Sequence, residues 1–409
     1  ALRRAPPPVL GSVPVCLALW SLNAPIGWCW LVLLAWGFLS YQLTRRRGKQ
    51  VESVGLQTSP LVHCSCSVEY RAINGVVTEF LWTRTRSSTW SPTPSGTLVF
   101  LIPGFPGMGT IYATLARTLV AHESLRARQV TVVVVSWAGH SHDPTYQLQS
   151  QGCVFDLQGH ATHYAQVLRD LTEGQPWDSV VLCGHSMGAW MAGRALSILR
   201  GMGTPTSISQ VHLLCPCLER MADLPRVGRG EVRWIITAGM VASRCGLLDA
   251  LVRFVDCIPK SWVCRIMALG QYLKGKTDSV IEPSVYWLWW TVAHYFQYGV
   301  FQRAAAAAMQ GFSRINTLSS QPDMVQALRS VPELHFHYAP EDRWNPPEWR
   351  HGWAQRFPES KHHVYQGLRH GVITTNKGAV MIGEAWAKFI AEGTGGPRGN
   401  NGCHEGLRV

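Results

Sequence analysis

Charge is what this chain has least of. Asp, Glu, Lys and Arg together make up only 15% of its 409 residues, and acids are outnumbered by bases, 25 to 37. Disordered chains combine few apolar residues with high net charge. Here 46% of residues are apolar, which excludes that class and indicates a globular protein shifted toward membrane contact. No C-x-x-C pair occurs among the twelve cysteines, and no four ligands with zinc-site spacing can be assembled. Cys183 and Cys215 fall in predicted strands, and Cys16 and Cys29 in an apolar segment. Cys245, Cys257 and Cys264 fall in helix-like stretches. They read as reduced, small apolar residues of a cytosolic domain. Internal repeats are also absent, so the chain is not a solenoid or an array.

The net charge is +12, with a pI near 9.3. Apart from Arg45, Arg46, Arg47 and Lys49, the basic residues are scattered singly. That run directly follows an apolar segment, as a cytoplasmic flank attracted to anionic lipid would. Nucleic-acid binding is therefore not expected. The segment itself, residues 13–39, is rich in tryptophan and exceeds the ~20 residues that cross a bilayer. Asn23, Ala24 and Pro25 interrupt it, which leaves a kinked span or a one-leaflet hairpin open. The chain begins at Ala1, so an initiator region is expected to be missing.

Beyond residue 60 the pattern alternates. Residues 61–71 and 75–84 read as an antiparallel pair with a turn at Ile73, Asn74 and Gly75. Thr97–Ile102, residues 130–136, 179–183 and 211–214 read as buried strands. Helical stretches over 111–127, 155–171 and 189–196 lie among them. Such alternation implies a mostly parallel sheet with helices on both faces. It stops over 217–321, a helix-prone, apolar stretch whose aromatic run over 285–301 suits a membrane interface or a lipid-facing cap. Strand periodicity returns at Glu333–Tyr338 and at 362–365, and a last helix covers 378–391. The expected organisation is an N-terminal membrane segment (1–50), a core in two parts (61–216 and 322–392), a helical cap (217–321) and a disordered tail (393–409).

The most informative motif is Gly184-His185-Ser186-Met187-Gly188, set between a predicted strand and a predicted helix. In this G-x-S-x-G setting the serine sits on a sharp turn with its hydroxyl exposed at the sheet edge. A serine hydroxyl is a weak nucleophile at neutral pH. It requires a histidine base, which in turn requires an acid to hold its tautomer. The α/β-hydrolase chain order of serine, acid, histidine places both partners downstream. Asp342 follows the strand at 333–338, with Glu341 and Asp323 as competitors. His370 follows the strand at 362–365. His362 and His363 read as strand-end surface residues, His140 and His142 as lining the substrate entrance, and His185 as pointing away from the triad. The oxyanion donors would be the N–H groups of Met187 and of Phe105, the latter in the loop 103–109. That loop could bind phosphate, but it does not continue into Gly-Lys-Ser/Thr and is not G-x-G-x-x-G, so nucleotide binding is not expected.

The residues 101–107, 138–140, 184–188, 218–222, 342–344 and 369–371, in this order and spacing, resemble the lipid droplet-associated hydrolase family over about 97–390. The resemblance implies an α/β-hydrolase core with a helical cap and a Ser186–Asp342–His370 triad. It also implies esterase activity toward neutral lipids at lipid droplets and endoplasmic reticulum. The family often has Asn, His and Gly where Phe105, Trp137 and Arg343 stand here. The N-terminal apolar segment is a further departure. The function expected is that of a serine esterase or lipase cleaving neutral lipid esters such as sterol esters or acylglycerols, with a cytosolic catalytic domain and no metal or organic cofactor. Acyl transfer through the same acyl-enzyme, or a lipid-organising role with weak catalysis, are the alternatives.

Overall fold

The chain enters its sheet through a hairpin. Strands β1 (Cys64–Ile73) and β2 (Val76–Thr85) pair antiparallel, with Ile73 opposite Val76. The two linking residues, Asn74 and Gly75, have φ of 50° and 77°. A two-residue turn that matches the twist of its strands needs positive φ at both positions, and Asn-Gly tolerates this best. These positions come from a computed structural model that describes residues 64–85, 96–125, 128–140, 156–175, 177–203, 208–224 and 300–393, with single positions at 230 and 237. All of them belong to one compact unit within 57–249 and 278–409. The other unit, 1–56 with 250–277, lies outside the described residues. So do the predicted membrane segment, the basic run at 45–49, most of the predicted cap with its aromatic run, and the tail beyond 393. Among the described residues no helix is long and apolar enough to cross a membrane.

The sheet continues through β3 (Thr97–Ile102), β4 (Val130–Val135), β5 (Ser179–His185), β6 (Ile208–Leu214), β7 (Glu333–Tyr338) and β8 (Lys361–Val364). Its spatial order is β1-β2-β4-β3-β5-β6-β7-β8. β2 meets β4 antiparallel, and every later pair is parallel. Residues alternate between two cores. Leu98, Phe100 and Ile102 face one, and Val99 and Leu101 the other. Helices α1 (Ala113–Ala121) and α7 (Asn376–Gly393) cover the second core. Helices α2 (Leu157–Thr172), α3 (Met187–Gly201), α4 (Val300–Arg314), α5 (Pro322–Arg329) and α6 (Pro347–Arg356) cover the first. Coverage on both faces is why the central strands read as continuous apolar runs. This is the α/β-hydrolase fold. The helix expected over 111–127 is shorter. It opens with a 3-10 turn and ends at Ala121, where His122 Nδ1 takes the Ser124 N–H at 3.2 Å and lies 2.8 Å from its hydroxyl. Such local side-chain bonds compete with continuation of a helix.

Four histidines occupy the α7 side of β6, β7 and β8. His212 and His335 stack at 4.5 Å and His335 and His363 at 5.5 Å, beside Phe389. Their proton positions follow from one fixed end. The Phe389 carbonyl can only accept, so the Gln210 amide nitrogen donates to it at 3.2 Å and turns Gln210 Oε1 to His212 Nε2–H at 3.0 Å. His212 Nδ1 then accepts from His337 Nε2–H at 3.0 Å, and His337 Nδ1 accepts from the Tyr365 hydroxyl at 2.9 Å. Each ring in this chain is neutral and satisfied. His363, expected at the surface, instead faces His335 Nδ1 at 3.3 Å, because parallel register places β8 side chains directly beside those of β7. His362 is likewise drawn in, stacking on Phe336 at 4.8 Å and accepting at Nδ1 from the Tyr338 hydroxyl at 2.8 Å.

Burial lowers the pKa of these rings. His363 falls to about 3, an effect that the positive charge of Lys361 and any proton on His335 strengthen, and His212 and His337 fall well below the usual value. Elsewhere burial takes His163 to about 4. The folded chain therefore stays unprotonated at pH values where the unfolded chain binds protons. Stability should be full above pH ~6.5 and fall as the pH drops toward 3, by about 1.4 kcal/mol per pH unit for each such group. Denaturant unfolding at pH 7.5, 6.0 and 5.0 measures this. A flat profile would contradict the buried neutral stack.

Candidate active site

Ser186 lies between the end of β5 and the start of α3, with φ 53° and ψ −122°. A non-glycine residue holds such a backbone only where its surroundings impose it. Here they do. A Cβ on Gly188 would lie 2.4 Å from the Ile102 carbonyl oxygen and 2.5 Å from that of Pro103. One on Gly184 would lie 2.5 Å from the Gly188 carbonyl oxygen. Both glycines of the motif are therefore required by close backbone approach, and the serine between them is turned to the C-terminal edge of the parallel strands.

The predicted partners converge there. The Ser186 hydroxyl donates to His370 Nε2 at 2.8 Å. His370 Nδ1–H donates to Asp342, 2.9 Å from Oδ1 and 2.8 Å from Oδ2. The Asp342 side chain is fully buried, and its Oδ1 also accepts the Trp344 N–H at 2.9 Å. Burial alone would raise the Asp342 pKa. The bond and charge of His370, the Trp344 N–H and the nearby Arg350 outweigh it and hold the carboxyl below its usual value. Arg350 Nη2 ties the acid turn together by donating to the carbonyls of Ala339 at 2.6 Å and of Pro340 and Asn345 at 3.1 Å. An ionised, oriented acid fixes the His370 tautomer and leaves Nε2 free to take the serine proton. The competitors Glu341 and Asp323 do not enter this arrangement. Asp323 instead pairs with Arg194 at 2.6 Å.

The two expected oxyanion donors flank the serine. Met187 is the first residue of α3, where a peptide N–H has no acceptor within the helix. Phe105 follows Gly104, whose backbone abuts the nucleophile so closely that a Cβ there would lie 2.8 Å from Ser186 Cβ. The Phe105 side chain is 42% exposed at the mouth of the site. Trp137 is fully buried and braces this loop. Its Nε1–H donates to the Pro103 carbonyl at 2.9 Å and its N–H to that of Gly107 at 2.7 Å.

Several neighbours were not legible as site residues. His140 does not line an entrance. It is buried, packed between Trp137 and His160, with Nδ1 3.0 Å from the Pro106 carbonyl. His142 lies outside the described residues. His185 is drawn toward the base rather than away from it, with Nε2 donating to the His370 carbonyl at 3.1 Å. Cys217 reaches within 3.6 Å of the Ser186 hydroxyl, and its N–H donates to the Ser186 carbonyl at 3.1 Å. Burial raises its thiol to about 12, against the bond to Ser186. Trp344 lies 6.0 Å from the His370 ring and stacks at 6.3 Å on Phe312 of α4. The only sequence signal for Cys217 was its place just past a strand end, and for Trp344 its place two residues past the acid.

Among the described residues, two groups of side chains have metal-ligand spacing, His212–His335–His337 and Cys215–Asp342–His370. In the first, every ring nitrogen already has a hydrogen-bond partner. In the second, Asp342 and His370 are bonded to each other. Residues 270–277 match G-x-x-x-x-G-K-[ST], a phosphate-binding pattern, but they lie outside the described residues.

The family described as lipid-droplet associated hydrolase matches residues 95–373. The human lipid droplet-associated hydrolase is 30% identical over 291 residues, covering 68% of this chain and 80% of that protein. The rat protein of the same name is 24% identical over 294 residues, covering 68% and 79%. Among solved structures, the haloalkane dehalogenase DbeA from Bradyrhizobium elkani superposes with a TM-score of 0.50 at 13% identity, over 80% of this chain and 99% of that one. The likeness to the dehalogenase is one of fold, whereas the match in sequence reaches the residues around Ser186. This chain therefore belongs to the lipid-droplet associated hydrolase family and is a hydrolase.

Proposed function

We propose that the protein is a serine esterase that cleaves neutral lipid esters, such as sterol esters or acylglycerols, at a lipid surface. The observation that carries this reading is the unbroken contact from the Ser186 hydroxyl through His370 to buried Asp342. Ser186 attacks the ester carbonyl while His370 Nε2 takes its proton. The tetrahedral oxyanion is held by the N–H groups of Met187 and Phe105. His370 returns the proton to the departing alcohol, leaving an acyl-serine. Water, deprotonated by the same ring, then releases the acid.

The apolar surroundings of the serine support a lipid substrate. Trp344 and Phe312 stack beside His370, Phe105 is exposed at the mouth, and 46% of the whole chain is apolar. The relatives' name supports the lipid droplet as the place of action. We further propose that residues 217–321 form the cap and that residues 13–39 anchor the chain at endoplasmic reticulum or droplet membrane, with the catalytic domain cytosolic. The test is release of free fatty acid from emulsified cholesteryl oleate and trioleoylglycerol by the full chain, together with a fluorophosphonate probe mapped to its modified residue. Labelling at Ser186 with turnover of at least one emulsion is expected. Labelling elsewhere, or turnover of neither, overturns the reading.

A further inference from the structure

His185 stands inside the nucleophile motif but is not one of the three converging side chains. Its imidazole is nonetheless bonded at both nitrogens. Nε2 lies 3.1 Å from the His370 carbonyl and Nδ1 lies 2.7 Å from the Tyr112 hydroxyl. The Tyr112 oxygen in turn accepts the N–H of Gly104 at 2.8 Å. The protons in this chain have one consistent arrangement. A carbonyl can only accept, so His185 Nε2 carries the hydrogen. In a neutral ring Nδ1 then accepts, and the Tyr112 hydroxyl must donate to it. That leaves the tyrosine oxygen to receive the Gly104 N–H. Tyr112 and His185 are 2% and 4% exposed, with rings edge to face at 5.9 Å. The charged groups facing His185 are His370, its ring 5.7 Å away, and Asp342 behind that ring. Burial is the main cause that keeps His185 neutral, and a proton taken up by His370 would add to it, against the bond to the His370 carbonyl and the pull of Asp342.

This chain joins three pieces of backbone that belong to different elements. Gly104 lies in the loop after β3, His185 ends β5, and His370 lies in the loop after β8. The first carries the expected oxyanion donor, the second the nucleophile and the third the base. The Gly104 N–H is also turned toward Tyr112 and so is not a candidate oxyanion donor, which leaves that part to the next peptide, Phe105.

We infer that Tyr112 and His185 are positioning residues, a neutral hydrogen-bonded strut that sets the base loop and the oxyanion loop at fixed distances from Ser186. The inference rests on the proposed esterase reading. His185 acts on the reaction through the His370 main chain and touches no reacting atom. Misplacing a reacting group by about 1 Å can cost about 100-fold in rate without any loss of substrate affinity.

The test uses the full chain and compares Tyr112→Phe, His185→Phe and His185→Gln, measuring kcat and KM on a soluble short-chain ester and the second-order rate of fluorophosphonate labelling, all well below each variant's Tm. Tyr112→Phe keeps the ring and removes the donor to His185 and the acceptor for Gly104. His185→Gln can still offer an N–H toward the His370 carbonyl, which Phe cannot. The expected result is a 10- to 100-fold fall in kcat and labelling rate for both Phe variants at unchanged KM, with His185→Gln restoring most of the loss at position 185. A residue with a merely structural role would lower Tm and leave kcat and the labelling rate of the folded fraction unchanged. That outcome, or a failure of Gln to restore more than a small part, overturns the inference. Failure of the esterase reading looks different, because the unsubstituted protein would then not label at Ser186.

Discussion

Replacing Ser186 with alanine is expected to lower kcat for ester hydrolysis roughly a million-fold and to abolish fluorophosphonate labelling. The argument is geometric. The hydroxyl already bonds His370 Nε2 at 2.8 Å, so the substitution removes both the bond-forming atom and the proton that His370 is placed to accept. What remains is whatever Met187 and Phe105 contribute by holding an oxyanion, plus substrate binding, and these act on water poorly. The fold should be little affected. The special backbone at this position is imposed by the Ile102, Pro103 and Gly188 contacts rather than by the hydroxyl. A folded Ser186→Ala protein with unaltered Tm and no turnover is the expected pair of measurements. Turnover within tenfold of the original would show that another group carries the chemistry.

Asp342→Asn should be nearly as damaging, about 10,000-fold in kcat, by a different route. Asp342 Oδ1 accepts the Trp344 N–H. In the asparagine variant the amide oxygen keeps that bond, since the amide nitrogen cannot accept it. The NH2 group then faces His370 Nδ1 where Oδ2 stood. It donates, Nδ1 must accept, and the ring proton moves to Nε2, which faces Ser186 and can no longer take its proton. The side chain is isosteric, so packing survives. Fluorophosphonate labelling should persist at a greatly reduced rate, in contrast with Ser186→Ala. Full-rate labelling in Asp342→Asn would contradict the assigned role of the acid.

Both expectations were legible in the sequence because they depend on local signals that the fold obeys. Thr97–Ile102 and Glu333–Tyr338 are strands with the bounds expected, since short β-branched and apolar runs between turn residues have few alternatives. The chain also turns at Asn74-Gly75, within the expected turn, although Ile73 still belongs to β1. The positions of Ser186, Asp342 and His370 follow from chain order at strand ends. What the sequence could not reveal is side-by-side placement between strands. Nothing in the spacing of His212, His335, His337 and His363 says that three separate strands stack them, and that fact depends on the β6-β7-β8 register. His185 and Tyr112 are hidden for the same reason, because their bonds run to backbone atoms of distant segments and carbonyl groups leave no mark on sequence. His140 reads as an entrance residue from its place before a loop, whereas its burial depends on packing against Trp137 and His160, the latter from a helix later in the chain.

The thiol of Cys217 sits 3.6 Å from the reactive hydroxyl yet is buried, and burial pushes its pKa up to about 12. Alkylating agents attack a thiolate that they can reach, so this sulfur should resist them despite its position. Inactivation by such a reagent would therefore report on cysteines away from the serine, and would be no ground for classing the protein with thiol-dependent enzymes.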